Sequence, residues 1–223
     1  MSFEVELQKR IGDADIALSF RSDAPVTALV GASGAGKTTV LNMIAGIVRP
    51  DRGRTKIGTR VLYDSECRID IPPERRRCGY VFQDNRLFPH LSVRGNLLYG
   101  YRPAAADGHW TGPDEVVALL GLSGLLGRKP ATLSGGEARR VAIGRALLSA
   151  PQFLLMDEPL TSLDRERRED ILTIIERIRD RLCVPILYVS HQDDEVGRVA
   201  GRIVTMPGRW VSAGPGQGRS RGD

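Results

Sequence analysis

A glycine-rich stretch of this chain, Gly31-Ala32-Ser33-Gly34-Ala35-Gly36-Lys37-Thr38, ends in a lysine and a threonine. It fits the pattern G-x-x-x-x-G-K-[ST] and lies between a continuous apolar run, 26–30, and a stretch of helical character, 37–45. Glycines in such a loop let successive backbone N–H groups converge on phosphate oxygens, and the N-terminus of the next helix adds partial positive charge. The sequence therefore predicts a strand, a phosphate-binding loop and a helix, in that order.

Two side chains at the end of this loop have chemical roles in the prediction. Lys37 is expected to neutralise the β- and γ-phosphates of a bound nucleotide. The Thr38 hydroxyl is placed to ligate Mg²⁺. We take the nucleotide-binding segment to extend from Gly31 to Thr39.

A pair of carboxylates follows an apolar run farther along the chain. Phe153–Met156 is predicted to be a buried strand that ends at Asp157 and Glu158. Such a strand can deliver Asp157 beside the phosphate-binding loop, where it would hold Mg²⁺ through a water. Glu158, one residue later, is suited to polarise an attacking water as a general base.

The order of apolar runs predicts an α/β fold. Strands alternating with helices imply a mostly parallel sheet that is covered on both faces. Two alternating runs at the start, 3–7 and 16–20, predict an N-terminal β part, and the short helical pieces of 88–129 read as a helical insertion. The remaining predicted elements are strands at Tyr80–Phe82, Ile186–Val189 and Ile203–Met206, a helix from Ser134 to Ser149, and an amphipathic helix at Arg165–Leu182.

Composition narrows the class of protein. The chain has 223 residues, of which 41% are hydrophobic, enough for a buried core. The net charge of +5 permits an anionic partner, but no aromatic residues interleave the basic ones, so we expect no direct nucleic-acid binding. No export signal or membrane-spanning run is visible, and Cys67, Cys78 and Cys183 are too scattered for a disulfide framework, so we expect a soluble protein of a reducing compartment. We interpret the cysteines as apolar fillers and Arg75–Arg77 as a solvated turn.

A third motif distinguishes this chain from other proteins with a phosphate-binding loop. Leu133-Ser134-Gly135-Gly136-Glu137 precedes a helix, with Ser134 as the expected N-cap. Two glycines in a first turn reduce helix stability by about 1 kcal/mol each relative to alanine. A sequence that keeps them there is expected to need unshielded backbone amides that bind an anion. With this motif the chain resembles the ATP-binding cassette (ABC) ATPase family, over residues 3 to about 212. The resemblance implies a P-loop NTPase core within a domain of residues 1–213, a helical subdomain inserted at about 86–150, and a disordered tail at 214–223.

The resemblance also implies further site residues. Gln83 would contact Mg²⁺ and the attacking water, Asp164 would face a second subunit, and His191 would contact the γ-phosphate. ABC ATPases bind ATP as head-to-tail dimers, so Leu133–Glu137, the signature segment, would contact the ATP of the partner, most simply a second copy. The family usually stacks adenine on an aromatic residue before the phosphate-binding loop. Here Arg10-Ile11-Gly12 takes that place, so either Ile11 and aliphatic stems hold the base or it is held only loosely.

Two functions compete within the family. One is the ATPase subunit of a membrane importer, and the alternative is a soluble mechanical ABC ATPase acting on DNA or ribosomes. The segment of about fifty residues between Gln83 and the signature leaves room for a small helical subdomain but not for a long coiled coil, and only one cassette is present, so we favour the importer.

Several segments point to a group within the importers. Residues 72–77 and 82–91 resemble the ATPases of importers for oxyanions, polyamines, iron and sugars. Within that group, residues 93–100 and 187–191 are most similar to the ATPases of molybdate importers. This implies a peripheral protein at the cytoplasmic face of the inner or plasma membrane. Its permease would dock near Arg86–Leu91, where we expect Leu87, Phe88 and Leu91 to be exposed; the alternative for these residues is local packing within the helical insertion. A periplasmic or extracellular binding protein would act indirectly. Such subunits often carry a C-terminal molybdate-binding regulatory domain, so either that domain is absent or the transported ion differs.

Overall fold

The computed structural model describes residues 2–101, 112–181, 184–206 and 210–211. Cys183 and the predicted tail at 214–223 lie outside these ranges. Within them, no helix is both long enough and apolar enough to cross a bilayer. The described strands are β1 Phe3–Ile11, β2 Ala14–Ser22, β3 Val26–Val30, β4 Arg52–Ile57, β5 Arg60–Asp64, β6 Ile69–Asp70, β7 Cys78–Val81, β8 Phe153–Asp157, β9 Ile186–Val189, β10 Arg202–Thr205 and β11 Trp210–Val211. The described α-helices are α1 Lys37–Ala45, α2 Val93–Leu98, α3 Pro113–Leu119, α4 Gly135–Leu148, α5 Arg165–Arg181 and α6 Asp193–Val199.

A five-stranded sheet forms the centre of the fold, in the order β10-β3-β9-β8-β7. Every neighbouring pair in it is parallel. All the residues of β8 and β9 are buried, as expected for strands covered on both faces. One apolar cluster packs α4 and α5 against one face, and a second cluster packs α1 and the other sheet against the opposite face. The predicted parallel sheet is therefore confirmed.

A second sheet has the order β11-β2-β1-β4-β5-β6 and is antiparallel. Residues of β2 alternate between buried and exposed, because one face lies on the core and the other faces solvent. Phe3 is fully buried and contacts the rings of Phe20 and Phe153, which joins this sheet to β8. This antiparallel part was predicted only for its first two strands.

Helices α2 and α3 pack on α4 on one side of the parallel sheet. Gly144 of α4 allows this close packing: a Cβ there would lie 2.6 Å from Leu97 and 2.7 Å from Leu120. Helix α2 begins at Ser92, whose hydroxyl accepts from the backbone N–H of Gly95. These helices lie inside the predicted helical range 86–150, and its bounds stay a prediction.

Three expectations about surface residues are wrong. The side chain of Arg76 is only 1% exposed, because it donates to the carbonyls of Met43 and Ile44 at the end of α1 and to Asp70. Cys67 is exposed rather than an apolar filler. Finally, Leu87, Phe88 and Leu91 are half-buried, with Leu87 packed against the core, so the apolar side chains that are exposed nearby are Leu98 and Tyr99.

Candidate active site

The candidate site lies at the carboxyl ends of four adjacent parallel strands. In the order β3-β9-β8-β7, these ends lead into the phosphate-binding loop, His191, the Asp157–Glu158 pair and Gln83. The carboxyl ends of parallel strands meet at one edge of a sheet, and such edges are the usual ligand sites of α/β proteins. Segments far apart in sequence are therefore brought to one edge.

The phosphate-binding loop connects β3 to α1. Gly36 has φ +97°, a conformation that favours glycine, and an added Cβ there would lie 2.9 Å from Ile16 Cδ1. The Lys37 ammonium, 6% exposed, donates to the carbonyls of Gly31 and Ala32 at 2.8 and 3.0 Å. Among the described residues, no side chain caps the N-terminus of α1. Its first amides thus remain directed into the loop, where they can bind an anion.

A cleft of about 340 Å³ adjoins the loop and is lined by Thr38, Gln83 and Asp157, with Asn42, Phe82, Asp84 and Arg86. Asp157 is 3% exposed, and its buried Oδ1 has no hydrogen-bond partner among the described residues. Burial raises the pKa of Asp157, and the hydroxyl of Thr38 opposes this rise. Hydroxyl, amide and carboxylate oxygens are ligands that Mg²⁺ accepts, commonly with one carboxylate and substrate phosphates. The residues present fit Mg²⁺.

Glu158 lies at the centre of a group of polar side chains. Its Oε2 accepts from Thr161 Oγ1 at 2.9 Å and from Gln83 Nε2 at 3.5 Å, and its Oε1 lies 3.4 Å from His191 Nδ1. The backbone N–H of Glu158 donates to Val189 O, which fixes it against β9. The structure thus brings together Gln83, Glu158 and His191, which sequence analysis named separately. Thr161 was missed, and its position three residues after Glu158 was the only signal for it.

The signature segment has the capping arrangement expected of it. Ser134 Oγ accepts from the Glu137 N–H, and Glu137 Oε2 accepts from the Ser134 N–H at 2.7 Å. That backbone bond lowers the pKa of Glu137. Gly135 is exposed and Leu133 half-buried, whereas Gly136 is buried beneath Arg167, whose Cδ would lie 3.3 Å from an added Cβ. No hydrogen bond or ion pair of the described residues joins 133–137 to the phosphate-binding loop.

Two other predicted residues have local contacts. Asp164 Oδ1 accepts from the Arg167 N–H at 3.0 Å and its Oδ2 pairs with the Arg167 guanidinium, so it caps α5. Ile11, in the region expected to hold adenine, is 45% exposed at the turn between β1 and β2. Ile16 of β2, which sequence analysis did not assign, contacts the loop at Gly36.

Arginines of α4 hold the loop that carries Gln83. Arg139 donates to the carbonyls of Phe82 and Gln83, and Arg145 donates to those of Asn85 and Arg86. Sequence analysis predicted a helix from Ser134 to Ser149, which contains Arg139, without assigning this residue a contact. Arg139 lies between Ala138 and Arg140, and a charge in that setting does not identify a distant acceptor.

A family model described as ABC transporter matches residues 15–161. The chain belongs to the ABC transporter family. Proteins named Molybdenum import ATP-binding protein ModC are similar to this family member: that of Rhodospirillum rubrum is 51% identical over 95% of the chain, and that of Brucella abortus is 54% identical over 94%. The chain spans 58% of the length of each of these relatives.

Solved structures of the ABC family have the same fold. A dimeric bacterial ABC transporter cassette is 26% identical, with a TM-score of 0.70 over 92% of this chain and 94% of that one. A nucleotide-free ABC cassette, 24% identical, superposes with a TM-score of 0.77 over 92% of this chain and 88% of that one. The predicted α/β class, with a parallel core, an antiparallel β part and helices, is confirmed.

Proposed function

We propose that this chain is the ATP-binding and ATP-hydrolysing subunit of an ABC importer for molybdate or a related oxyanion. The observation that carries the proposal is the convergence of the phosphate-binding loop, Asp157, Glu158, Gln83 and His191 at one sheet edge. Support for the transported ion comes from relatives named as molybdenum import proteins at 51% and 54% identity. The names of these relatives give no support to a mechanical ATPase acting on DNA or ribosomes.

Nucleotide binding follows from the loop. The amides of the loop, from Gly31 to Thr39, and the start of α1 would hold the phosphates, and the Lys37 ammonium would exchange its carbonyl acceptors for phosphate oxygens. Thr38, Gln83 and Asp157, the last through a water, would hold Mg²⁺ in the adjoining cleft. Bound there, Mg²⁺ would neutralise charge on the β- and γ-phosphates.

Hydrolysis follows from the group around Glu158. Its carboxylate is 20% exposed and so can accept a proton from a water at the rim of the site. Gln83 and His191, at 3.5 and 3.4 Å from its two oxygens, would orient that water and contact the γ-phosphate respectively. Thr161 holds the carboxylate in place.

A second copy would complete each site. The signature segment is separate from the loop of its own chain, and its capped helix N-terminus with exposed Gly135 can face the ATP of a partner subunit. Asp164 would lie at this interface. Moving such a dimer from mostly open to mostly closed takes about 5.5 kcal/mol of differential binding. Two ATP molecules, each contacted by both subunits, would supply it through charge-assisted hydrogen bonds.

We place the permease contact near Arg86–Leu91. Phe88 there packs against Tyr99 at 4.2 Å between ring centroids, and Tyr99 is 57% exposed, so an apolar surface continues onto the end of α2. Docking there would put the chain at the cytoplasmic face of the membrane, with a periplasmic or extracellular binding protein acting through the permease.

The test is transport by the assembled complex. The membrane subunits are first identified by co-purification with this chain. The chain and those subunits are then co-expressed, reconstituted in lipid vesicles and supplied with the binding protein. We expect ATP-dependent uptake of molybdate and no uptake with Lys37→Ala, whereas Lys56→Ala, a surface variant, should transport like the parent. Co-purification with ribosomes or DNA and no membrane protein would overturn the proposal, and uptake of another oxyanion alone would overturn the molybdate assignment.

A further inference from the structure

The backbone that carries Gln83 is held by a buried arginine from the signature helix. Arg139 lies in the second turn of α4, and its two terminal nitrogens donate to Phe82 O at 2.7 Å and Gln83 O at 2.8 Å. These are the residues that directly follow β7. One planar guanidinium therefore fixes two successive carbonyls at the start of the loop.

The same helix holds the other end of the loop. Arg145 donates to Asn85 O at 3.0 Å and to Arg86 O at 2.8 Å. Four of the five carbonyls from 82 to 86 thus accept a hydrogen bond from an α4 arginine. We call these two arginines the arginine clamp.

The burial of Arg139 shows that the clamp is more than a surface contact. Its side chain is 3% exposed, and its Nε is buried without a partner among the described residues. Burial lowers the pKa of Arg139, while the charges of Asp84 and Asp157 act against this. A buried guanidinium is costly unless its donors are matched, and here the loop carbonyls match the two terminal nitrogens. The loop and the arginine therefore depend on each other.

The loop also has a backbone that needs outside support. Asn85 and Arg86 have φ values of +59° and +44°, a region that residues with a side chain rarely adopt. Such conformations persist only where surrounding contacts hold them. Both carbonyls of this strained pair are bonded to Arg145.

We propose that Arg139 and Arg145 are positioning residues, which couple the position of α4, the helix that begins in the signature segment, to the position of Gln83 beside Glu158. The proposal rests on the proposed function, because it takes Gln83 to act on the attacking water. A shift of α4 moves the carbonyl on which Gln83 is mounted, and a shift of the loop moves the helix whose N-terminus faces the partner subunit. The position of loop 82–86, which leads into the proposed permease contact, and the contact of the signature segment with the partner's ATP are thereby linked.

Two measurements on the full chain test the clamp. Arg139→Lys and Arg145→Lys keep the positive charge but remove the two-pronged guanidinium that binds two carbonyls at once. Amide hydrogen exchange of 82–88 should therefore accelerate at least about tenfold, while the exchange rates in β1 stay unchanged. In steady-state hydrolysis of Mg-ATP, Arg139→Lys should lower kcat about tenfold and leave the KM within about twofold. Because the proposal is that Arg139 acts through Gln83, the double variant Arg139→Lys/Gln83→Ala should have a kcat within about twofold of that of Gln83→Ala alone.

Arg140→Lys is the matched control, because Arg140 is the next residue on α4 and its one side-chain hydrogen bond within the described part of the chain goes to Leu120 O. It should match the parent in exchange at 82–88 and in kcat, and thermal unfolding of every variant checks folding. The proposal would be overturned if amide exchange at 82–88 were unchanged in both clamp variants. It would also be overturned if the double variant lost the product of the two single losses in kcat. A parent chain that does not hydrolyse Mg-ATP would instead refute the proposed function, and exchange would still decide whether the arginines hold the loop.

Discussion

Glu158 Oε1 and His191 Nδ1 lie 3.4 Å apart at the ends of two neighbouring strands. The distance follows from the sheet register, because β8 and β9 are parallel with Asp157 opposite Val189. Glu158 directly follows Asp157 and His191 is the second residue after Val189, so both lie at the same edge of the sheet. The proposed general base and the proposed phosphate-contacting group are thereby close enough to contact one water, and each proposed role can be tested by substitution.

Glu158→Gln should bind ATP and form the dimer but hydrolyse ATP about a thousandfold more slowly, because the amide cannot accept the water's proton. Steady-state phosphate release and light scattering with Mg-ATP measure the two properties. Glu166→Gln, on the exposed first turn of α5, is the matched control and should resemble the parent. Brisk turnover by Glu158→Gln would remove this residue as the base.

Lys37→Ala should weaken the binding of Mg-ATP by about a hundredfold, because the loop loses its one buried ammonium among the described residues. Titration calorimetry with a slowly hydrolysed ATP analogue measures the affinity. Lys56→Ala, which removes a half-buried ion pair with Glu4 on β1, away from the phosphate-binding loop, should leave the affinity unchanged. Equal affinity in the two variants would count against the assignment of 31–39 to nucleotide binding.

Arg76→Ala should lower the free energy of unfolding by about 3 kcal/mol, because it leaves buried carbonyls of Met43 and Ile44 without their donor. Urea denaturation followed by circular dichroism measures this. The neighbouring Arg75→Ala removes an exposed side chain and should cost under about 0.5 kcal/mol. Similar small losses in both variants would mean that the buried contacts of Arg76 are not stabilising.

The capping box of α4 should give a pH-dependent contribution to stability. The pKa of Glu137 is lowered below its ordinary 4.5 by the Ser134 N–H, so the contribution is present above pH 4.5 and is lost as the pH falls through the lowered pKa. Glu137→Gln should therefore be less stable than the parent near neutral pH, by under about 1 kcal/mol because solvent still screens this half-buried site.

Urea denaturation at several pH values from neutral downward should show the two proteins converging in acid. Glu115→Gln, in the first turn of α3, is the control for removing one carboxylate from a helix start. A stability difference between Glu137→Gln and the parent that stays constant through pH 4.5 would contradict the role of the Glu137 charge.

Local pattern predicted the elements whose burial is nearly complete. The bounds of β3, α1 and β9 agree with the sequence prediction, because strands buried on both faces are continuously apolar and the glycine-rich loop separates β3 from α1. Strand β4, with the sequence Arg-Gly-Arg-Thr-Lys-Ile, was missed. Its charges face solvent, and it is a strand because it pairs with β1, some fifty residues earlier. Helix α6 was also missed, because its seven residues are too few to show a helical apolar periodicity.

The amino-acid sequence by itself determined the phosphate-binding loop, the acidic pair and the signature, because each is a contiguous segment whose residue types carry the chemistry. Only the tertiary structure decided how they meet: Gln83 and His191 beside Glu158, Arg76 buried under α1, and the two α4 arginines on the Gln83 loop. A buried arginine is specified by its acceptors, and those are backbone carbonyls. Every residue has such a carbonyl, so only the folded chain shows which ones are within reach.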